Sequence, residues 1–193
     1  MKNKAIFLDK DGTLIPDIPY NVDSQLITLQ ADAIEGLKRL QAAGYLFIVV
    51  SNQSGVARGI FEENMLKGVE QRIRQMLSAQ GIGLTAFYYC PHHPKGIVPG
   101  LNTDCNCRKP EPGMLFTAAV EHHIDLGASW MIGDILNDVE AGNRAGCSTV
   151  LIDNGNETEW VSGHHRVPTV IAKSIDEAAI LMLKSNQHEL AGL

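Results

Sequence analysis

Two acidic residues, Asp9 and Asp11, stand one residue apart where an apolar stretch at residues 5–8 gives way to a turn. Carboxylates about 4 Å apart repel each other by roughly 4 kcal/mol at an effective dielectric constant near 20. A protein keeps such a pair only where a cation or a raised pKa relieves the repulsion. A solvated Asp-x-Asp-Gly turn is the alternative interpretation. The pair indicates a metal-dependent active site in which one carboxylate is free to react.

Polar groups follow three further apolar stretches, in the case of the cations only after a long loop. They are the hydroxyl and amide cluster at residues 51–54, the cations Arg108 and Lys109, and the acidic turn Gly133-Asp134. Each also has an ordinary explanation, as a turn, a solvated lysine or a helix N-cap. Ligands bind at the carboxyl ends of the strands in open α/β sheets. We therefore expect these groups to converge with Asp9 on one edge of one sheet.

Short apolar stretches alternate with amphipathic ones along the whole chain, which predicts the elements that hold these groups. Strands are predicted at residues 5–8, 46–50, 86–89, 130–132 and 149–152, and helices at 33–43, 62–79, 114–122, 138–145 and 175–183. Strand and helix in alternation predict an α/β fold with a doubly wound, mostly parallel, Rossmann-like sheet. Only 39 residues separate Asp11 from Ser51, so no large cap domain fits there. We predict a single domain spanning residues 1–193.

Composition and charge limit the classes of partner. Hydrophobic residues make up 45% of the chain and charged residues 20%, as is usual for a soluble globular protein. The formal net charge of −6 argues against nucleic acid or a membrane surface as a partner. No stretch approaches the roughly 20 apolar residues of a membrane span, and none reads as a signal peptide. We therefore predict a cytoplasmic protein, and we expect a monomer because nothing in the sequence requires a larger assembly.

Three of the four cysteines lie close together in sequence, in two pairs of potential ligands: Cys90-x-His92 and Cys105-x-Cys107. Three thiolates and one imidazole are typical of a structural, tetrahedral zinc site. His93 is an alternative ligand, and a Cys90–Cys105 disulfide is an alternative use of the thiols. A zinc ion would order the irregular loop at 90–107 and so direct the cations at 108 and 109 toward the predicted pocket.

This ordered set of motifs resembles the haloacid-dehalogenase-like (HAD-like) phosphohydrolases over residues 5 to about 152. The resemblance implies that Asp9 is a nucleophile toward phosphorus and that Asp11 is the general acid and base. It implies that Ser51 and Lys109 hold the phosphoryl group. It also implies Mg²⁺ bound by Asp9, Asp134 and the backbone carbonyl of Asp11.

The sequences Cys-Pro-His-His-Pro at 90–94, Cys-x-Cys-Arg-Lys-Pro at 105–110 and Asn-Gln-Ser-Gly at 52–55 narrow the resemblance to the heptose 1,7-bisphosphate phosphatases. A small phosphorylated metabolite is thus the expected partner, with loss of its C7 phosphate the expected reaction. By position, the implied substrate contacts are Asp17, Ile18, Pro19, Tyr20, Asn52, Gln53, Ser54 and Arg108. The chain differs from this family at Ile135, where the family commonly has a lysine.

Other functions are compatible with parts of the pattern. The related histidinol-phosphate phosphatases share the zinc spacing, and open HAD-like sites include nucleic-acid 3′-phosphatases. The net charge of −6 weighs against the nucleic-acid substrate. A non-catalytic zinc domain or a phospho-receiver would not need the acid at 11, the lysine at 109 and the aspartate at 134 together.

Overall fold

A computed structural model describes residues 2–191 of the chain, with side chains as far as residue 185. Its sheet has six strands: β1 (Lys4–Leu8), β2 (Tyr45–Asn52), β3 (Ala86–Cys90), β4 (Trp130–Gly133), β5 (Ser148–Ile152) and β6 (Val170–Ala172). The spatial order is β3-β2-β1-β4-β5-β6, and every neighbouring pair is parallel. The predicted α/β, doubly wound, parallel sheet is confirmed.

The order of the strands places a switch point in the middle of the sheet. From β1 the chain moves outward through β2 and β3, then returns to place β4 on the other side of β1. A crevice opens at such a reversal, beyond the carboxyl ends of the two strands, and ligands bind there in open α/β sheets. The residues that follow β1 and β4 are Asp9 and Asp134.

Five α-helices cover the two faces of the sheet. They are α1 (Ala33–Ala42), α2 (Leu66–Ser78), α3 (Gly113–Glu121), α4 (Leu136–Ala145) and α5 (Ile175–Ala191). Apolar residues of α1, α2 and α5 share one core with one face of the sheet. Those of α3 and α4 form a second core on the other face. The layers are therefore helix, sheet and helix.

Burial of β1 on both faces explains why its sequence is a continuous apolar stretch. Ile6 and Leu8 pack into the first core, and Ala5 and Phe7 into the second, with all four side chains fully buried. Burial of a large apolar side chain contributes roughly 1.5–3 kcal/mol. A central parallel strand buried on both faces has no position left for a polar side chain.

Some boundaries differ from those expected. A 3-10 turn (Glu63–Met65) precedes α2, so the buried face of that helix begins at Leu66, and Met65 is 45% exposed. The strand β6 was not predicted, because three residues with one exposed side chain give no readable periodicity. The helix α5 runs to Ala191, beyond the predicted end at residue 183.

Loops cover the carboxyl edge of the sheet. Residues 9–32 contain one helical element, the 3-10 turn Ser24–Leu26, and residues 91–112 contain neither helix nor strand. Among the described residues, none of the helices combines the length and hydropathy that a membrane span requires.

Candidate active site

The carboxyl ends of β1, β2 and β4 surround a cleft of about 210 Å³, which we call the reaction cleft. Its walls are formed by Asp9, Asp11, Asp17, Ser51, Asn52, Lys109, Asp134, Ile135, Asp138 and Asn156. The four groups that the sequence placed after four different apolar stretches thus share one cleft.

Lys109 is fixed in the cleft by three contacts of its ammonium group. Nζ lies 2.5 Å from Oδ1 of Asp9 and 2.7 Å from Oδ1 of Asp138, and it donates to the carbonyl of Val50 at 2.8 Å. The residue is 2% exposed. Burial alone would lower the pKa of Lys109, but the carboxylates of Asp138 and Asp9 outweigh burial and raise it. The ammonium therefore stays charged beside Asp9.

The end of β2 holds the backbone of Lys109 as well. Oδ1 of Asn52 accepts from the Lys109 N–H at 3.0 Å, and Nδ2 of Asn52 donates to the Lys109 carbonyl at 3.0 Å. The side-chain amide of Asn52, which was predicted to contact the substrate, thus forms hydrogen bonds with the backbone of Lys109. This pair of bonds sets where the Lys109 side chain enters the cleft.

Three buried carboxylates, Asp9, Asp134 and Asp138, form what we call the carboxylate cluster. Ligand oxygens of the three residues lie within 4.8 Å of one another. Burial, followed by the charges of Asp9 and Asp138, raises the pKa of Asp134 to about 7. Burial also raises the pKa of Asp138 to about 6, with Lys109 opposing it. One lysine does not balance three carboxylates, so the cluster favours a further cation.

The donor set and the space around it suit Mg²⁺. Carboxylate oxygens are the hard ligands that Mg²⁺ prefers. The loop beside Asp134 passes so close that a Cβ atom at Gly12 would lie 2.0 Å from Oδ2 of Asp134, and the φ angle of Gly12 is +82°. Glycine at position 12 therefore leaves room for the Asp134 carboxylate.

Asp11 lies beside Asp9 with donors on both of its oxygens. Nζ of Lys10 contacts Oδ1 at 2.6 Å, and Nε2 of Gln53 donates to Oδ2 at 3.1 Å. Gln53 also donates to Oγ of Ser51 at 2.8 Å. Burial raises the pKa of Asp11, although Lys10 opposes this. A carboxyl group with a raised pKa is suited to exchange a proton.

A second cleft of about 280 Å³, the outer cleft, adjoins the first and shares Asp11, Asp17 and Asn52 with it. Its other lining residues are Lys10, Pro19, Tyr20, Asn21, Gln53, Ser54 and Gly55. Six of the eight predicted substrate contacts thus line one cleft or the other. Ile18 and Arg108 lie outside the linings of both.

Cys90, His92, Cys105 and Cys107 come together in a group that we call the thiol cluster. Their three sulfur–sulfur distances are 3.1 to 3.4 Å, against about 3.8 Å expected for thiolates on a tetrahedral zinc ion. Nδ1 of His92 lies 3.4 Å from the sulfur of Cys107. The cysteines are free thiols, so the disulfide alternative is not observed. These are the residue types of a structural zinc site.

His93, the alternative zinc ligand, belongs instead to a group that also contains the cations Arg58, Lys95 and Arg108. Its Nε2 lies 3.0 Å from a guanidinium nitrogen of Arg58, and its Nδ1 accepts from the backbone N–H of Lys95 at 3.0 Å. Burial, followed by Arg108, Arg58 and Lys95, lowers the pKa of His93. Arg108 itself contacts the carbonyl of His92 at 3.4 Å. The group concentrates positive charge next to the thiol cluster.

Three residues of the site were not assigned from the sequence. Asp138 had a signal, because it lies four residues after Asp134 and so one turn into a helix. Lys10 had none beyond its place between two aspartates. Asn156 had none, because it lies in an irregular segment and is separated from Asp134 in sequence by α4 and β5.

Comparison with known proteins gives consistent results. A family model described as HAD-hydrolase-like matches residues 106–178. The D-glycero-beta-D-manno-heptose-1,7-bisphosphate 7-phosphatase of Pasteurella multocida is 43% identical over 153 residues, which are 79% of this chain and 83% of that protein. The corresponding alpha-anomer phosphatase of Photorhabdus laumondii is 37% identical, over 81% of this chain and 86% of its own length.

The structure is also similar to an experimental one. The D,D-heptose 1,7-bisphosphate phosphatase from B. bronchiseptica, solved in complex with magnesium and phosphate, superposes with a TM-score of 0.75. The two sequences are 28% identical, and the match covers 94% of this chain and 99% of the other.

Proposed function

This chain belongs to the HAD-like hydrolases, in the family of the heptose 1,7-bisphosphate 7-phosphatases, and we propose that it removes the 7-phosphate of D-glycero-D-manno-heptose 1,7-bisphosphate. The observation that carries this proposal is the position of Lys109. Its buried ammonium, 2.5 Å from Asp9, lies where it would neutralise a phosphate that a carboxylate must attack.

The reaction has two steps with Asp9 as the nucleophile. A carboxylate oxygen of Asp9 bonds to phosphorus while the bond from phosphorus to the sugar oxygen breaks, and Asp11 gives its proton to that oxygen. Asp11 then takes a proton from water as the water oxygen attacks phosphorus, which releases phosphate and restores Asp9. The raised pKa of Asp11 supports both roles.

Mg²⁺ would be held by Asp9, Asp134 and the backbone carbonyl of Asp11, and it would neutralise charge on the phosphoryl oxygens. Asp138 is held by Lys109 on Oδ1 and accepts from the backbone N–H of Ile135 on Oδ2 at 3.3 Å. We therefore assign Asp138 to the positioning of Lys109. Ser51 lines the reaction cleft and would contact the phosphoryl group with Lys109.

The outer cleft would hold the sugar. It shares Asp17 and Asn52 with the reaction cleft, and Pro19 and Tyr20 are among its other lining residues. Tyr20 has a φ angle of 56°, a left-handed backbone that is uncommon for an aromatic residue and that occurs at ligand sites. An aromatic ring that is 46% exposed beside polar groups suits the apolar face of a sugar.

Arg108 and Arg58 would bind the second phosphate, which does not react. Both lie in the cationic group around His93, and burial, with Arg58 contributing, lowers the pKa of Arg108. Guanidinium groups bind phosphate through two parallel hydrogen bonds. Arg108 lies outside the linings of both clefts, so the second phosphate would have to extend beyond the outer cleft to reach it.

Zinc in the thiol cluster would be structural, because four protein ligands leave no open position. Since Cys107 is followed directly by Arg108 and Lys109, the ion would fix the direction in which both cations leave the loop. All the groups that we assign come from one chain, so we propose an active monomer. Free thiols also suit the cytoplasm, where cysteines stay reduced.

The test is phosphate release by the purified protein with Mg²⁺ from both anomers of the heptose 1,7-bisphosphate, histidinol phosphate and a 3′-phosphorylated oligonucleotide. We expect one equivalent of phosphate from a heptose bisphosphate, with the 1-phosphate retained in the phosphorus NMR spectrum of the product. Equal turnover of histidinol phosphate, or loss of the 1-phosphate, would contradict the substrate assignment.

A further inference from the structure

The segment that follows β5 reaches back to the carboxylate cluster, although it is irregular and mostly exposed. Nδ2 of Asn156 donates to Oδ2 of Asp134 at 2.6 Å. Oγ1 of Thr13 donates to the other oxygen, Oδ1, at 3.1 Å. Both oxygens of Asp134 are therefore held, one from the loop after β1 and the other from residue 156.

The neighbours of Asn156 anchor the segment at both ends of this contact. Nδ2 of Asn154 donates to the carbonyl of Gly12 at 2.8 Å, and Oδ1 of Asn154 accepts from the backbone N–H of Asn156 at 3.2 Å. On the other side, Oε2 of Glu157 accepts from the backbone N–H of Leu136, the first residue of α4, at 2.6 Å. Asn156 is therefore held over Asp134 rather than free in solvent.

We propose that Asn156 is a positioning residue that orients the Asp134 carboxylate toward the divalent cation. An amide N–H that takes one lone pair of a carboxylate oxygen fixes the plane of the group and leaves the other lone pairs for a metal. Partners of this kind control metal affinity, and their loss typically lowers it about 10- to 100-fold. The proposal rests on the assignment of Asp134 as a Mg²⁺ ligand in the proposed function.

Asn156 also lines the reaction cleft, so contact with the substrate is the alternative role of its side chain. A direct contact with substrate would affect the Michaelis constant for the sugar and leave the affinity for the metal unchanged. The two roles are therefore separable by measurement of Mg²⁺ binding without substrate.

The experiment compares Asn156→Ala, Asn156→Asp and the neighbouring Thr158→Ala by thermal-shift titration with Mg²⁺ alone, together with phosphatase assays over a range of Mg²⁺ concentrations. Thr158 is exposed on the same segment and serves as the matched control. We expect Mg²⁺ affinity to fall 10- to 100-fold in Asn156→Ala, with most of the turnover restored at high Mg²⁺. Asn156→Asp lacks the same N–H donor but adds a negative charge that attracts the cation, so its Mg²⁺ affinity should fall less than that of Asn156→Ala. Thr158→Ala should match the wild type.

Unchanged Mg²⁺ affinity in both Asn156 variants would overturn the proposal. A raised Michaelis constant at unchanged Mg²⁺ affinity would also overturn it, in favour of substrate contact. If the wild type itself shows no stabilisation by Mg²⁺ and no phosphatase activity, the proposed function fails and the inference fails with it. Normal wild-type binding with normal variants removes the inference alone.

Discussion

The carboxylate cluster and the thiol cluster are built in opposite ways. The members of the first follow strands β1 and β4 or lie in the first turn of α4, so regular structure holds them. Of the second, only Cys90 lies on a strand, and the other three residues belong to the irregular loop at 91–112. The carboxylate cluster opens into a cleft, whereas four ligands would close the thiol cluster around its ion.

This difference suits the carboxylate cluster to a reaction and the thiol cluster to support of the structure. Repulsion among Asp9, Asp134 and Asp138 does not disperse them, because the sheet and α4 fix their backbones, and that repulsion supports cation binding. The thiol cluster has no comparable framework, so its geometry would depend on a bound metal ion. Lys109 connects the two regions. Its backbone lies two residues after Cys107, and its ammonium group contacts Asp9.

The largest expected effect is the loss of activity when Asp9 of the carboxylate cluster is replaced, with the thiol cluster left unchanged. Asn in place of Asp9 keeps the size of the side chain but removes the nucleophile, so phosphatase activity should fall by at least about 10⁴-fold. Bound zinc, measured by elemental analysis, should stay at the wild-type level, because the thiol cluster is separate. Retention of a tenth of the activity would reject Asp9 as the nucleophile.

Replacement of Lys109 by Met tests the residue that joins the two regions. We expect activity to fall about 10²- to 10³-fold through loss of charge at the phosphoryl site. Without Mg²⁺ the protein should lose about 3–5 kcal/mol of unfolding free energy in urea, because Asp9 and Asp138 are left buried without their partner. Saturating Mg²⁺ should restore part of this stability. A metal-free variant as stable as the wild type would show that the three carboxylates are not under strain.

Replacement of Cys107 by Ser tests the supporting region, with Cys147→Ala as the matched control. Cys147 is a buried thiol that is not one of the four residues of the cluster. Cys107→Ser should lose its zinc and up to about 100-fold in kcat/KM, since a small displacement of Lys109 lowers the rate. Mg²⁺ binding should remain measurable in the same protein. Full activity after verified zinc loss would contradict the orienting role of the loop.

The sequence predicted most of the fold because buried parallel strands and amphipathic helices leave simple patterns. The stretch at 5–8 became β1 with every side chain buried, and residues 33–43 became α1. The hydrophobic pattern failed to predict where one helix, α2, begins. The helix predicted at residues 62–79 begins only at Leu66, because the 3-10 turn Glu63–Met65 precedes it, and Met65 is 45% exposed.

The site was predictable to the extent that its residues follow strands. Contacts between residues that are distant in sequence could not be predicted from the order of the residues. Asn52 was taken as a substrate contact, and only the folded chain shows its amide on the Lys109 backbone. Asn156 lies in the segment at 154–168 for which the sequence offered no function. Such contacts depend on where two loops end in space, which periodicity does not encode.

The smallest expected effect concerns protons at the carboxylate cluster. The pKa of Asp134 is raised from the usual 3.8 to about 7 without a cation. The folded state therefore holds a proton that the unfolded state has lost between about pH 4 and 7, so this contribution to stability is present at low pH and disappears as the pH rises through 7. Mg²⁺ binds the ionised form, and its apparent affinity should fall about tenfold for each pH unit below 7 and level off above it.

Thermal unfolding from pH 5 to 8, with and without Mg²⁺, measures both quantities, and zinc should be retained throughout. Asp134→Asn is the control, because it removes the titrating group and its metal-free stability should change less across this range. Mg²⁺ affinity that stays constant from pH 5.5 to 8 would mean that Asp134 is ionised throughout. The carboxylate cluster would then lack the internal repulsion that distinguishes it from the thiol cluster.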